Sequence, residues 1–377
     1  MTTVASPAGF AAVVHRDRLR RAAEEAADRG VDALLITPSP DYAYLLGYAA
    51  PALERLTCLV VPVDGAVTLI LPRLEEPLAR HELDELADAI EVVAWDETED
   101  PIRIVQRVVG SALRVAVQDQ MWARFALRLR AALDPAQLVE AGHTMSALRS
   151  VKTPEEIDRL RAAGQAADRA MRAITAEVLS GRTEADVSRR IHALLLEAGH
   201  EAGTFAIVAS GPNAASPHHG AGERRIQAGD AIVLDIGGVM AGYASDTSRT
   251  AFVGEPPAEF AALYAVLREA QRAACDAVRP GVPAARIDAA AREIIDEAGY
   301  GDAFLHRTGH GIGMETHEEP YIVASNEEPL VAGNAFSVEP GIYIRDTWGA
   351  RIEDIVVCTP DGGERLNASS TELYLVD

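Results

Sequence analysis

Ala228-Gly229-Asp230-Ala231-Ile232-Val233-Leu234-Asp235-Ile236-Gly237 and Ala332-Gly333-Asn334-Ala335-Phe336-Ser337-Val338-Glu339-Pro340-Gly341, about a hundred residues apart, are two versions of one phrase. Each reads Ala-Gly-Asx-Ala, three largely apolar residues, an acid, one further residue and Gly. The opening is a turn signal and the apolar run behind it a short strand, so Asp235 and Glu339 are expected where each strand stops. A second acid follows each copy: Asp246 in Tyr243-Ala244-Ser245-Asp246, and Glu353 in Arg351-Ile352-Glu353-Asp354. A repeat that supplies two carboxylates per copy on apolar strands implies a duplicated domain with four acids converging at its centre. Carboxylates crowded in a protein interior repel unless cations neutralise them, which points to a metal site.

Length and composition fit that reading. At 377 residues the chain exceeds what one core usually supports, so two domains are expected. The net charge of -22 argues against nucleic acid or an anionic membrane as partner. Cys58, Cys275 and Cys358 are widely spaced, which suits a reducing compartment without a disulfide framework. Met1 to Val14 is mildly apolar but lacks a basic start, and no run approaches membrane-spanning length. A cytoplasmic location is the expectation.

The first domain, 10–140, reads as α/β. Arg16 to Arg29 looks helical, stopped by Gly30, and leads into a strand at Val31–Ile36. Thr57–Pro62 and Ala66–Leu71 form a hairpin around Val63-Asp64-Gly65. Helical runs near 76–88, 101–110 and 121–133 flank strands near 91–95 and 114–118. No glycine-rich phosphate loop or cluster of catalytic residue types occurs here, so this part reads as scaffold.

The second domain spans 150–377. Thr153-Pro154-Glu155-Glu156 is a strong helix start, with Thr as N-cap, Pro at the first position and Glu completing a capping box. Thr183-Glu184-Ala185-Asp186 opens a second helix that Gly199 closes. Strands are expected at 204–209, 231–236 and 242–252, helices at 257–278 and 284–298, and strands again in the last third. Five of the ten histidines fall between 218 and 317: His218, His219, His306, His310 and His317. Glycine frames His310 in Thr308-Gly309-His310-Gly311-Ile312-Gly313, which permits close backbone approach. Four acids and one imidazole suit a pair of first-row divalent ions with bridging carboxylates.

The set Leu234-Asp235-Ile236-Gly237, Ser245-Asp246-Thr247-Ser248-Arg249-Thr250, Gly309-His310-Gly311-Ile312-Gly313, His317-Glu318-Glu319-Pro320, Val338-Glu339-Pro340-Gly341 and Arg351-Ile352-Glu353-Asp354 resembles the pita-bread metallopeptidases, most closely the prolidase and aminopeptidase P branch. The resemblance covers 150–377 closely. It extends more loosely to a creatinase-like N-terminal domain, through phrases such as Tyr44-Leu45-Leu46-Gly47-Tyr48. It implies Asp235, Asp246, His310, Glu339 and Glu353 as ligands of two divalent ions, manganese first, with cobalt, zinc or iron open. Asp246 and Glu353 would bridge, Asp235 would hold one ion, and His310 with Glu339 the other. Glu339 would also move the proton between the attacking water and the leaving amine. His218 and His317 would contact the substrate carbonyl and stabilise the oxyanion. His306 and Arg351 would line the leaving-residue pocket, with proline as the expected occupant. A small peptide substrate and a homodimer follow from the same resemblance.

Within that branch an Xaa-Pro dipeptidase is slightly favoured over an aminopeptidase P acting on longer peptides. Some prolidases carry Arg directly after His-Glu-x-Pro, where this chain has Tyr321, leaving Arg351, His218 or another subunit to hold the substrate carboxylate. A metal-free creatinase-like hydrolase and a non-catalytic binding module share the fold. Both typically lack the full ligand set that this chain has kept. Ser248 stands where relatives often have Thr and retains the hydroxyl.

Overall fold

A computed structural model describes residues 9–377. Most of the N-terminal segment read above for a leader, residues 1–8, lies outside the described residues. The chain divides between Arg149 and Ser150 into two compact units, each built from both helix and strand.

The first unit runs α1 (Ala12–Asp28), β1 (Ala33–Ile36), α2 (Pro40–Leu46), β2 (Cys58–Pro62), β3 (Val67–Pro72), α3 (Glu76–Glu82) and β4 (Ile90–Trp95). It continues with α4 (Pro101–Val109), β5 (Arg114–Val117), α5 (Ala123–Ala132), β6 (Gln137–Glu140) and α6 (Gly142–Arg149). Its six strands form one mixed sheet in the order β4-β3-β2-β1-β5-β6. The expected hairpin is β2–β3, paired antiparallel. The helix expected across 76–88 is broken into α3 and a 3-10 turn at Asp84–Leu86, a break that turns both Leu83 and Leu86 inward. The Tyr44–Tyr48 phrase falls on the buried end of α2, which Gly47 closes in the left-handed conformation at φ 70.

The second unit contains the repeat. It opens with α7 (Pro154–Thr175) and α8 (Glu184–Glu197), each started by a complete capping box, from Thr153 with Glu156 and from Thr183 with Asp186. Strands β7 (Ala202–Ser210), β8 (Ala231–Met240) and β9 (Tyr243–Val253) follow, then α9 (Ala258–Ala277) and α10 (Ala284–Glu297). The remaining strands are β10 (Gly309–Gly311), β11 (Glu318–Ile322), β12 (Ala335–Val338), β13 (Gly341–Ile344), β14 (Trp348–Arg351), β15 (Asp354–Thr359), β16 (Gly362–Arg365) and β17 (Tyr374–Val376). One sheet has the order β17-β9-β8-β7 and the other β11-β10-β12-β15-β16, with β13–β14 as a separate hairpin.

Each sheet buries one face under a helix pair. Ala167, Met171, Val187 and Ile191 of α7 and α8 pack with Val208, Ile232 and Leu234 of the first sheet. Phe260, Leu267, Ile287 and Ile295 of α9 and α10 pack with Phe336, Val338 and Val356 of the second. The duplication reaches the turns. Gly229 and Gly333 both take the left-handed backbone, at φ 85 and φ 99, which an L side chain rarely adopts. Just before α8 and α10, Thr183 bridges Arg225 and Pro283 bridges Pro329.

One strand end differs from expectation. Asp235 lies in the middle of β8, not at its stop, because the strand runs on through Gly237 and Gly238 to Met240 and pairs with β9 throughout. Glycine permits this: a Cβ at Gly237 would sit 2.3 Å from the Ser245 carbonyl and 2.4 Å from the Phe205 ring. Glu339 does fall just past the end of β12, and Glu353 just before β15.

Candidate metal centre

The register of the sheets brings the acids together. On β8 and β9, Asp235 pairs with Ser248 and Gly237 with Asp246. The second half presents Glu339 and Glu353 from the facing ends of two paired strands, β12 and β15. Backbone and side-chain bonds stitch the halves at this point: Glu353 N donates to Ser248 O, Thr247 Oγ1 to Glu353 O, and Arg351 N to Thr250 Oγ1. His310 enters on β10, where a Cβ at Gly309 would meet the Ser337 carbonyl at 1.8 Å. The glycine-framed approach read from the sequence is therefore obligatory here.

The five residues offer ligand atoms in overlapping groups. His310, Glu339 and Glu353 have such atoms within 4.8 Å of one another, as do Asp235, Asp246 and Glu353, and Asp246, His310 and His317. Glu353 belongs to groups on both sides, and Asp246 joins the acidic group to the imidazole. Asp246, His310 and Glu353 are buried, with Asp235 and Glu339 partly so.

Neighbours aim these ligands. His310 Nδ1 donates to the Gly311 carbonyl, which turns Nε2 toward Glu339 at 3.2 Å and Asp246 at 3.7 Å. Ser337 Oγ accepts from His310 N and donates to Glu339 Oε1. Ser248 Oγ donates to Glu353 Oε2 and accepts from Arg351 Nε. Two buried oxygens of this centre have no hydrogen-bond partner among the described residues, Asp235 Oδ1 and Glu353 Oε1. Leaving a buried charged acceptor bare costs about 1–3 kcal/mol or more, so these oxygens fit a cation.

The electrostatics agree. Burial, then the charges of neighbouring carboxylates, holds Asp246 and Glu353 well above the ordinary carboxylate range. Burial pushes Glu339 the same way, but the hydrogen bond and charge of His310 outweigh it and pull that carboxyl below its usual range. Crowding of this kind is relieved by divalent cations.

The centre opens into a cavity of ≈ 540 Å³, whose lining includes all five of these residues with His218, His306, His317 and Arg351. That volume suits a small ligand. His317 sits exposed beside His310, with ring centroids 4.0 Å apart, and desolvation with the nearby His310 and Arg307 lowers it to about 4. It is therefore neutral near pH 7. His218 is exposed, whereas its neighbour His219 turns to Glu184 at 2.9 Å.

His306 and Arg351 are committed within the protein. His306 Nδ1 donates to the Arg307 carbonyl, so its Nε2 accepts from the Tyr343 hydroxyl. Arg351 donates to Ser248 Oγ, Pro217 O, Tyr343 OH and Asp235 Oδ2, the last at 2.6 Å. Arg351, expected to line the leaving-residue pocket, is on the cavity wall, with its buried guanidinium hydrogen-bonded to a candidate ligand and its surroundings. Ser337, Tyr343, Arg307 and the apolar wall of Phe205 and Ile207 were not singled out from the sequence. A Ser two residues before Glu339 on a strand shares its face, and that period was the available signal for Ser337.

Residues 158–360 match the metallopeptidase family M24, and residues 18–151 match the creatinase/prolidase N-terminal domain. The chain belongs to the M24 metallopeptidases and is a metal-dependent hydrolase with a pita-bread domain. It is 47% identical over 370 residues to the probable dipeptidase PepE of Mycobacterium tuberculosis, covering 97% of this chain and 98% of the relative. It is 35% identical over 313 residues to the Xaa-Pro dipeptidase of Pyrococcus furiosus, covering 82% and 87%. The crystal structure of dipeptidase PepE from Mycobacterium ulcerans superposes with a TM-score of 0.93 at 46% identity, covering 97% of this chain and 99% of that one.

Proposed function

We propose that this chain hydrolyses Xaa-Pro bonds at the amino terminus of small peptides, as a dipeptidase, with two divalent ions. The observation that carries the reading is the pair of overlapping ligand groups sharing Glu353, joined to a cavity of peptide size. The similarity to proteins named dipeptidase and Xaa-Pro dipeptidase supports the substrate class. Asp235, Asp246 and Glu353 would hold one ion and His310, Glu339, Glu353 and Asp246 the other. Bound there, the ions would polarise the scissile carbonyl and lower the pKa of water towards neutrality.

The protein's own groups supply the rest. Glu339, held ionised and aimed by Ser337, would accept a proton from the attacking water and return it to the leaving nitrogen. His317, held neutral, would donate to the developing oxyanion together with His218. Phe205 and Ile207 would cover the apolar ring of proline, with His306 on the cavity wall. The substrate's amine would lie toward the carboxylates. Manganese is the ion favoured by this oxygen-rich set. A homodimer is proposed from the resemblance, and a reducing cytoplasm from the three buried free cysteines.

The test is a matched assay of manganese-loaded protein on Ala-Pro and Ala-Pro-Ala. A higher kcat/KM for Ala-Pro is expected. A higher value for Ala-Pro-Ala would replace the dipeptidase reading with an aminopeptidase.

A further inference from the structure

The cavity wall carries one guanidinium whose polar edge is uncommitted. Arg351 spends all three of its nitrogens within the protein. Arg307 also lines the cavity, half-buried, and its guanidinium carbon lies 4.2 Å from the centre of the Tyr321 ring. Among the described residues its side chain makes no hydrogen bond or ion pair. Stacking on a ring face orients a guanidinium plane yet leaves its edge N–H groups free for a planar carboxylate.

The segment bearing Arg307 is fixed. Thr308 donates to Asp288 through both its N–H and its hydroxyl, and Arg292 donates to the carbonyls of Phe304 and His306. The cavity thus places four carboxylates at its base and an unmatched cation on its wall. A zwitterion with its amine toward the acids and its carboxylate toward the cation fits that arrangement. We propose that Arg307, supported by Tyr321, captures the free carboxylate of a dipeptide and sets the preference for dipeptides over longer chains. Tyr321 then supports a cation from a neighbouring segment instead of supplying one itself. The inference rests on the Xaa-Pro peptidase reading.

The test compares kcat/KM for Ala-Pro and for its carboxamide, Ala-Pro-NH2, in manganese-loaded wild type, Arg307→Met, Arg307→Lys and Tyr321→Leu. Wild type should prefer the free acid at least tenfold. Arg307→Met should bring that ratio to about one, chiefly through KM for the acid. Arg307→Lys should retain part of the ratio, and Tyr321→Leu should lower it severalfold. If Arg307→Met does not fold, Arg307→Lys carries the test through its lowered ratio. An unchanged ratio in Arg307→Met, or equal loss on both substrates, would overturn the proposal. Wild type that cleaves both equally overturns the role of Arg307 alone. Wild type that cleaves neither overturns the Xaa-Pro reading and Arg307 with it.

Discussion

Glu353 concentrates the chemistry of the centre in one side chain, with Ser248 on one oxygen and the other buried without a hydrogen-bond partner among the described residues. Replacing it by Gln keeps the shape but removes the charge shared by both ligand groups. Glu353→Gln is expected to bind fewer than two ions per chain by elemental analysis and to lose activity. His317→Ala should keep its metal and lose about a hundredfold in kcat, as expected for an oxyanion donor. Retention of metal by Glu353→Gln with loss in His317→Ala would reverse those roles. A different histidine governs pH sensitivity away from the cavity. Burial lowers His200 below its usual 6.5, and its ring is hydrogen-bonded with the Leu195 carbonyl and Ser245 Oγ. The unfolded chain takes up a proton there that the folded chain resists, so this stability is present above about pH 6.5 and lost below it. The Tm should fall on acidification from neutrality, and His200→Gln should reduce that slope; an identical slope would contradict the assignment. The candidate ligands were legible because the repeat marked them twice. The commitment of Arg351 to Asp235 was not, because sequence spacing does not show which partner a long cation reaches.

At the scale of elements, the loop from 211 to 222 that carries His218 hangs from one acid. Glu184, the first residue of α8, is fully buried and accepts from Ser210 N and Oγ, Asn213 Nδ2 and Gly222 N, with His219 Nε2 at 2.9 Å. Those hydrogen bonds hold its carboxyl below the usual range although burial, the largest influence, opposes them. Glu184→Ala strands several buried donors and should cost about 2 kcal/mol or more in urea unfolding. The milder Glu184→Gln should keep its metal while kcat falls toward that of His218→Ala. Wild-type kcat in Glu184→Gln would separate the loop from this anchor. Thr183 and Asp186 announced α8 in the sequence, because a cap is local chemistry. Glu184 passed there as an ordinary first-turn acid, since its partners come from a loop about thirty residues away. The strand end misplaced at Asp235 has a similar cause: the two glycines after it look like a stop but permit close strand packing.

Over the whole catalytic unit, the two halves of the repeat are fastened by a buried ion pair directly behind the centre. Arg249 on β9 donates to Asp354 on β15 at 2.6 Å, and also to the carbonyls of Glu353, Ser369 and Ser370; neither side chain of the pair is exposed. Removing Arg249 leaves Asp354 with Arg365 at 2.9 Å and Gln271 alone, and strips the three carbonyls of their donor, so Arg249→Met should cost about 3 kcal/mol in equilibrium unfolding. A loss below about 1 kcal/mol would show that the halves hold without it. The duplicated architecture was legible because Gly-Asx turns and apolar strands recur, while the seam between the halves depends on long-range pairing that no local pattern encodes. That seam places all four acids and His310 around one volume, and the central claim is that two divalent ions occupy it. The direct measurement is hydrolysis of Ala-Pro by exhaustively metal-stripped protein titrated with manganese or cobalt. Activity should be absent without metal and reach its plateau as two ions bind per chain. Full activity in metal-free protein would contradict the account.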